Sequence, residues 1–294
     1  MEDHIKKYVP KIQAYIAKMP SLPQTVTKVI SICDNPNSSP SDLHRVISLD
    51  PVLTGQVLKL INSAYFFLPS QVVSLTQAII MLGINTVKNL ALSTAVLKSI
   101  GNKTAFKALD MNDFWMHSIG VGVTAKKIAK KIGIPKTEHE EFFVAGLLHD
   151  LGKIPLNDQF SEPYAEAIEM SRSNCTPLFK SETINMGINH LVVGKLIANK
   201  WKLTKALGDV LFYHHNVAGA DNSYKRLCTV ISIADSYVNI NEIGSAGNRM
   251  MDLTPPYDLA ESIGLSWQDL SDFKTEVFEE IENAKVFLQV ADKG

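Results

Sequence analysis

Glu140-Glu141-Phe142-Phe143-Val144-Ala145-Gly146-Leu147-Leu148-His149-Asp150-Leu151-Gly152-Lys153 is the stretch on which the fold of this chain turns. Thr137 and Glu140 have the spacing of a capping box, and the unbroken apolar run behind them predicts a buried helix rather than an alternating strand. Gly152 and Pro155 predict its end, and Gly152 would let the backbone pass close to a site. The apolar run delivers two polar residues, His149 and Asp150. Neighbouring helical residues point about 100° apart, so this pair cannot face one centre squarely unless it sits at a helix end or flanks two ions. A bridging Asp150 would satisfy the second condition.

The same helical period extends outward in both directions, and no segment alternates at period two for long enough to demand a sheet, so the chain is read as all-α. Ser39-Pro40-Ser41-Asp42 introduces a helix over 43–49, and Pro51 starts a second over 51–61. Ser74 and Gln77 form a capping box for 78–82, Gly83 ends that helix, and the period resumes over 87–100. It lapses over 101–109, which predicts a connector. A boundary near 107 therefore divides an N-terminal helical lobe, 1–107, from a second lobe, 108–294. Asn112 or Asp113 caps a helix running to Lys131. Further helices are expected over 183–201, 205–215 and 227–239, a loop over 241–248, and a last helix from Ser266 and Asp269 towards Val290.

A chain of 294 residues lies near the upper size of a single core. With 46% hydrophobic residues, 20% charged residues and a net charge of −1, it has no bias towards nucleic acid or anionic membranes, and no basic stripe or stacking aromatic series is present. The most apolar region, 74–100, is interrupted by Gln77, Gly83, Asn85, Lys88 and Asn89 and falls short of a bilayer span. Met1-Glu2-Asp3-His4 is not the basic start of an export signal. Cys33, Cys175 and Cys228 are widely spaced and odd in number, which fits reduced thiols that pack as small hydrophobes. The expectation is a soluble, cytoplasmic protein with no nucleic-acid or membrane partner.

Of the eight histidines, five fall in or beside helical segments that also carry Asp150 and Asp235: His117, His149, His190, His214 and His215. Imidazole and carboxylate donors together suit divalent Fe, Mn, Ni or Zn. His4, His44 and His139 read as surface residues.

The run Leu147-Leu148-His149-Asp150-Leu151-Gly152-Lys153 resembles the signature of the HD superfamily of metal-dependent phosphohydrolases. The resemblance maps the superfamily's first His onto His117 and its last Asp onto Asp235. His190 and the pair His214-His215 match the further ligands of binuclear members. After that pair the chain reads Asn216-Val217-Ala218-Gly219, with no acidic residue next and no Gly-Tyr-Pro, so the resemblance gives no basis for cyclic di-GMP hydrolysis of the HD-GYP kind. The chain also resembles the narrower HDOD (HD-related output domain) family over roughly residues 15–285. Its marks there are Met19-Pro20-Ser21-Leu22-Pro23, Ser48-Leu49-Asp50-Pro51-Val52-Leu53-Thr54, Leu60-Ile61-Asn62-Ser63-Ala64-Tyr65 and 74–83.

That likeness implies a two-lobed helical protein acting as a bacterial signalling or regulatory output through a protein partner, with a retained metal site. One ion would take His117, His149, Asp150 and Asp235; a second would take Asp150, His190, His214 and His215. His215 is the weakest member, because His214 alone could face inward. Two such ions, about 3.5 to 4 Å apart, would suit a phosphohydrolase acting on a nucleotide or other phosphoester. Asp150 and Lys153 are then the catalytic candidates, with Lys153 neutralising or protonating the phosphoryl group. The competing reading of Lys153 is an exposed cation favouring a helix C-terminus. Asp113, four residues before His117, is a further candidate ligand or acceptor.

Overall fold

The computed structural model describes residues 2–33, 35, 38–100, 108–248 and 256–292, and side chains within 8–32, 35, 38–100, 108–248 and 256–290. Most of the expected connector, 101–107, lies outside the described residues, as do the side chains of His4 and Cys33.

Local chemistry sets most helix starts in the first half of the chain. Helices α1 (Glu2–Lys18) and α2 (Gln24–Cys33) precede α3 (Pro40–Ile47), where Ser39 and Asp42 form a complete capping box around Pro40. Asp50 caps α4 (Pro51–Ile61), its carboxylate accepting from Leu53 N at 3.0 Å. Ser74 caps α5 (Leu75–Leu82), but Gln77 reaches past it to accept from Val73 N, so only half of the expected box forms. Gly83 ends α5, and α6 (Ile84–Ile100) is buried on nearly every face. Such a helix forms the centre of a globule rather than one wall of it.

The second half is built on α7 (Met111–Lys131), α8 (His139–Leu148) and α14 (Lys225–Ile240), which pack on one another. A Cβ on Gly146 would lie 2.7 Å from Gly122 N, and one on Gly122 equally near Phe143 O. Only the absence of both side chains lets α7 and α8 cross so closely. Around them lie α9 (Lys153–Gln159), α10 (Ser161–Ser173), α11 (Leu178–Met186), α12 (His190–Trp201) and α13 (Lys205–Tyr213). The chain closes with α15 (Tyr257–Ser262), α16 (Trp267–Ser271), α17 (Lys274–Ala284) and α18 (Val286–Asp292). The two halves interlock: α1 packs on α9, α11 and α12, while α18 returns to α4 and α6. Tyr65 OH donates to Glu140 Oε2 at 3.0 Å, Lys126 pairs with Glu140, and the Tyr65 ring meets Phe143 and Phe287.

The described residues contain helix and turn without strand, so the fold is all-α. Several boundaries differ from expectation. Asp110, not Asn112 or Asp113, caps α7. Thr137 makes no box with Glu140, because Lys136–Glu138 forms a 3-10 turn and the Glu140 carboxylate is taken by Tyr65 and Lys126. The segment expected as one helix over 183–201 is two, broken at Gly187 (φ 70) with Asn189 capping the second. The helix from Ser266 has its capping box but is interrupted twice before Val290, giving α16, α17 and α18. Pro155 lies in the first turn of α9 rather than ending a helix, a position where its missing N–H costs nothing. Cys228 is buried, and its desolvated thiol is pushed up to about 12, whereas Cys175 is exposed, contrary to its expected packing role. Among the described residues no single helix is long and apolar enough to cross a membrane; α5 and α6 together have the composition but meet at 119°, and α6 is buried.

Candidate metal centre

Every residue of the expected cluster except His117 and Asp235 stands at a helix terminus. His149 is the C-cap of α8, Asp150 follows in the turn, and Lys153 begins α9. His190 is the first residue of α12, and His214 is the C-cap of α13 with His215 next. Helix ends bring side chains together that the 100° step inside a helix would separate. His117 and Asp235 come from the interiors of α7 and α14, where both residues are buried. Gly152 makes the convergence possible: a Cβ there would lie 1.9 Å from His190 O, so the turn after Asp150 packs directly on the start of α12.

The histidines fall into two groups on either side of Asp150. His117, His149 and Asp235 form one, and His190, His214 and His215 the other, with donor atoms within 4.8 Å of one another in each. Asp150 Oδ2 lies 3.3 Å from His149 Nε2 and 3.8 Å from His117 Nε2, while Oδ1 lies 3.5 Å from His190 Nε2 and 3.6 Å from His214 Nε2. Asp235 Oδ1 is 3.1 Å from His117 Nε2 and 3.7 Å from His149 Nε2. His214 and His215 both turn inward, their rings 4.2 Å apart, and His215 also stacks on Phe179.

The free atoms point at one another. Nε2 of His117, His149, His190 and His214, and Oδ1 of Asp150, are buried without a hydrogen-bond partner, while Asp150 Oδ2 meets the Lys153 ammonium. Leaving one such group unpaired costs about 1–3 kcal/mol, so a cluster of them needs a compensating ligand. The opposite ring nitrogen is occupied in three of them: His149 Nδ1 contacts Gly146 O at 2.7 Å, His214 Nδ1 contacts Val210 O at 2.8 Å, and His190 Nδ1 contacts Glu182 Oε2 at 2.7 Å, whereas His117 Nδ1 is buried without a partner. Carbonyl and carboxylate acceptors fix Nδ1 as a protonated nitrogen, so that Nε2 is the atom each of these three rings would offer to a metal once neutral.

Charge is unevenly shared across the cluster. Burial pushes His214 and His215 down, His215 to about 3, so both rings are neutral and able to donate. Burial also opposes charge on His149, but Asp150 and Asp235 outweigh it and hold the ring at about 10. Burial raises Asp150 and Asp235 too; His149 and Lys153 overcome it at Asp150, and His117 and His149 at Asp235, leaving both carboxyls well below the usual range.

Lys153 is not the exposed cation of the competing reading. It is fully buried, its Nζ 2.7 Å from Asp150 Oδ2 and donating to Ala246 O at 3.0 Å, because α9 starts inside the core. Asp113 does not join the cluster: its side chain is exposed in the first turn of α7, and its carbonyl accepts from Ser245 N. His44 and His139 are half-buried and stand apart, bound to Ser48 and Ile134 O. Sequence reasoning missed Glu182, which is fully buried and also accepts from His190 N at 2.8 Å. It missed Asn239 as well, whose amide donates to Asp235 Oδ1 at 2.9 Å. The spacing of Asn239, one turn after Asp235, was a usable signal; Glu182 lies across the break at Gly187, and no local pattern marks it.

These features define a helical protein with a buried His/Asp centre whose donor set suits a divalent metal. The chain belongs to the HDOD domain family, whose sequence pattern matches residues 19–217. An uncharacterized protein of Treponema pallidum is 25% identical over 254 residues, 86% of this chain; the chain spans only 46% of that relative's length. Among solved structures, an HDOD domain protein of unknown function from Geobacter sulfurreducens superposes with a TM-score of 0.75 at 20% identity, covering 96% of this chain and 99% of that one. A protein from Shewanella amazonensis named "Putative phosphohydrolase" gives 0.70 at 21%, covering 95% and 97%. One from Marinobacter aquaeolei named "Putative signal transduction protein" gives 0.73 at 19%, covering 94% and 60%. Likenesses at such identities establish the fold.

Proposed function

We propose that this chain is a regulatory output module of bacterial signal transduction, cytoplasmic and working through a protein partner, whose HD-type centre holds divalent metal. The observation that carries the metal reading is the set of unpartnered buried nitrogens gathered on both sides of the Asp150 carboxylate. One ion would be held by His117, His149, Asp150 and Asp235, and a second by Asp150, His190, His214 and His215, drawn from Fe, Mn, Ni or Zn. The regulatory reading is supported by burial: His117, His149, Asp150, His190 and His214 are at most 1% exposed, and His215, the most open, has a side chain only 17% exposed. A centre so enclosed ties α7, α8, α12, α13 and α14 together and offers a phosphoester little approach.

The second reading, a phosphohydrolase acting on a nucleotide or other phosphoester, is favoured by Lys153. Bound divalent metal would supply Lewis acidity for phosphoester chemistry. The chain's own part would be the Asp150 carboxylate, held ionised between the two imidazole groups, and the Lys153 ammonium beside it, placed to offset charge.

Protein purified without chelators and analysed for metal is expected to carry two ions per chain, lost on Asp150→Asn; well under one ion per chain removes the metal reading. A panel of nucleotides and phosphoesters with Mn, Fe, Ni or Mg is expected to give no turnover. Turnover that Asp150→Asn abolishes would replace the regulatory reading with the enzymatic one.

A further inference from the structure

Beside the His149–Lys153 turn, with none of the cluster's histidines among its described lining, lies a recess of about 210 Å³. Tyr15, Met19 and Pro20 line it from the end of α1, Ser99 and Ile100 from α6, Leu151, Ile154 and Pro155 from the turn and α9, and Ile197 from α12. We propose that this recess is a binding site for a small uncharged apolar molecule, of the size of one aromatic ring or a short acyl chain, and that its occupancy is coupled to the metal centre.

The class of ligand follows from the lining. Among the described residues of the wall Tyr15 alone is ionisable, and it carries no charge at neutral pH. The two hydroxyls present are already engaged: Ser99 Oγ donates to Ala95 O at 2.8 Å, and Tyr15 OH to Asp158 Oδ2 at 2.9 Å. Pro20 O accepts from Trp201 Nε1 at 2.9 Å. None of the lining side chains has an unpartnered buried polar atom. A buried water needs two to four polar partners, and apolar cavities of about 150 Å³ stay dry and take up benzene or xenon. This recess is partly open, but its lining offers water few partners, so an apolar guest that displaces loosely held water from it gains.

The coupling follows from which residues form the wall. Leu151 is bonded to Asp150, Ile154 to Lys153, and Ile197 lies on the helix that His190 begins. A guest that fills the recess braces the turn that sets Asp150 between the two histidine groups and Lys153 against it. This part rests on the metal reading above; the binding of the guest does not.

The test uses the full chain, stripped of metal with a chelator, with benzene and xenon as probes. Benzene is expected to raise the thermal midpoint saturably, and xenon to appear between Ile100, Leu151 and Ile197 in pressurised crystals. Ser99→Leu and, independently at the rim, Met19→Trp fill the space, and each folded variant should lose the benzene response. No saturable response in the parent chain, or full responses in both folded filling variants, overturns the site. Manganese affinity measured with and without benzene is expected to change by about fivefold or more. Equal affinities overturn the coupling and leave the site standing. A chain that binds benzene but no metal overturns the metal reading and the coupling together, again leaving the site in place.

Discussion

Glu182 is the residue whose role is most sharply testable. Its carboxylate accepts from both the Nδ1 and the backbone nitrogen of His190, so it sets the ring's tautomer and direction without touching the centre itself. Glu182→Gln is expected to weaken metal affinity about 10–100-fold, read by competition with a chromophoric chelator, while helical circular dichroism stays unchanged. His149 makes a second prediction. Its ring, held at about 10 by Asp150 and Asp235, is protonated at neutral pH and must lose that proton to a metal. Apparent affinity should therefore rise with pH, by about tenfold per unit between pH 7 and 9, and flatten as the pH passes the raised value. A flat profile over that window would show that His149 does not ligate. The imidazoles and carboxylates of this set were legible in the sequence because their residue types are themselves the signal. Glu182 and the Ala246 carbonyl were not, since each gains its role only from what it meets after folding; Asn239, one turn after Asp235, left a local signal that went unread.

At the scale of elements, the centre depends on where helices stop. The pair His149-Asp150 was expected at a helix end or between two ions; α8 ends at Leu148, which puts it at an end, and the two oxygens of Asp150 face different histidine groups. The breaks that achieve this were only partly readable. Gly152 was recognisable as a point of close approach, whereas the break at Gly187 and Asn189, which turns His190 into the first residue of a helix, was hidden inside an uninterrupted apolar period. Gly152→Ala tests the junction. Its Cβ would overlap His190 O, so either α12 or the turn must move; a loss of about 3 kcal/mol or more in denaturant unfolding is expected, together with weakened metal binding. Gly133→Ala is the useful contrast, because no atom lies within 4 Å of its Cβ position and only the positive φ of 75° opposes it.

For the whole molecule, the interlocking of the two halves rests on contacts far apart in sequence. Tyr65 crosses from the first half to Glu140 and Lys126 in the second, and burial, reinforced by Glu140, pushes its phenol well above the usual range. Tyr65→Phe keeps the ring against Phe143 and Phe287 but removes a buried hydroxyl from the carboxylate; a loss of about 1–2 kcal/mol is expected by chemical denaturation. The sequence by itself determined the helical class, the starts of α3, α4, α5, α13 and α16, the HDOD likeness and the identity of the histidines and aspartates that converge, because apolar period, capping chemistry and donor type are properties of short segments. Only the tertiary structure decided that Lys153 is buried against Asp150, that Asp113 stays outside, that Glu182 supports His190, and that a recess lies beside the turn. Those outcomes depend on which helix faces meet and how closely, and a close backbone approach such as that of Gly152 on His190 is set by the packing of the whole core.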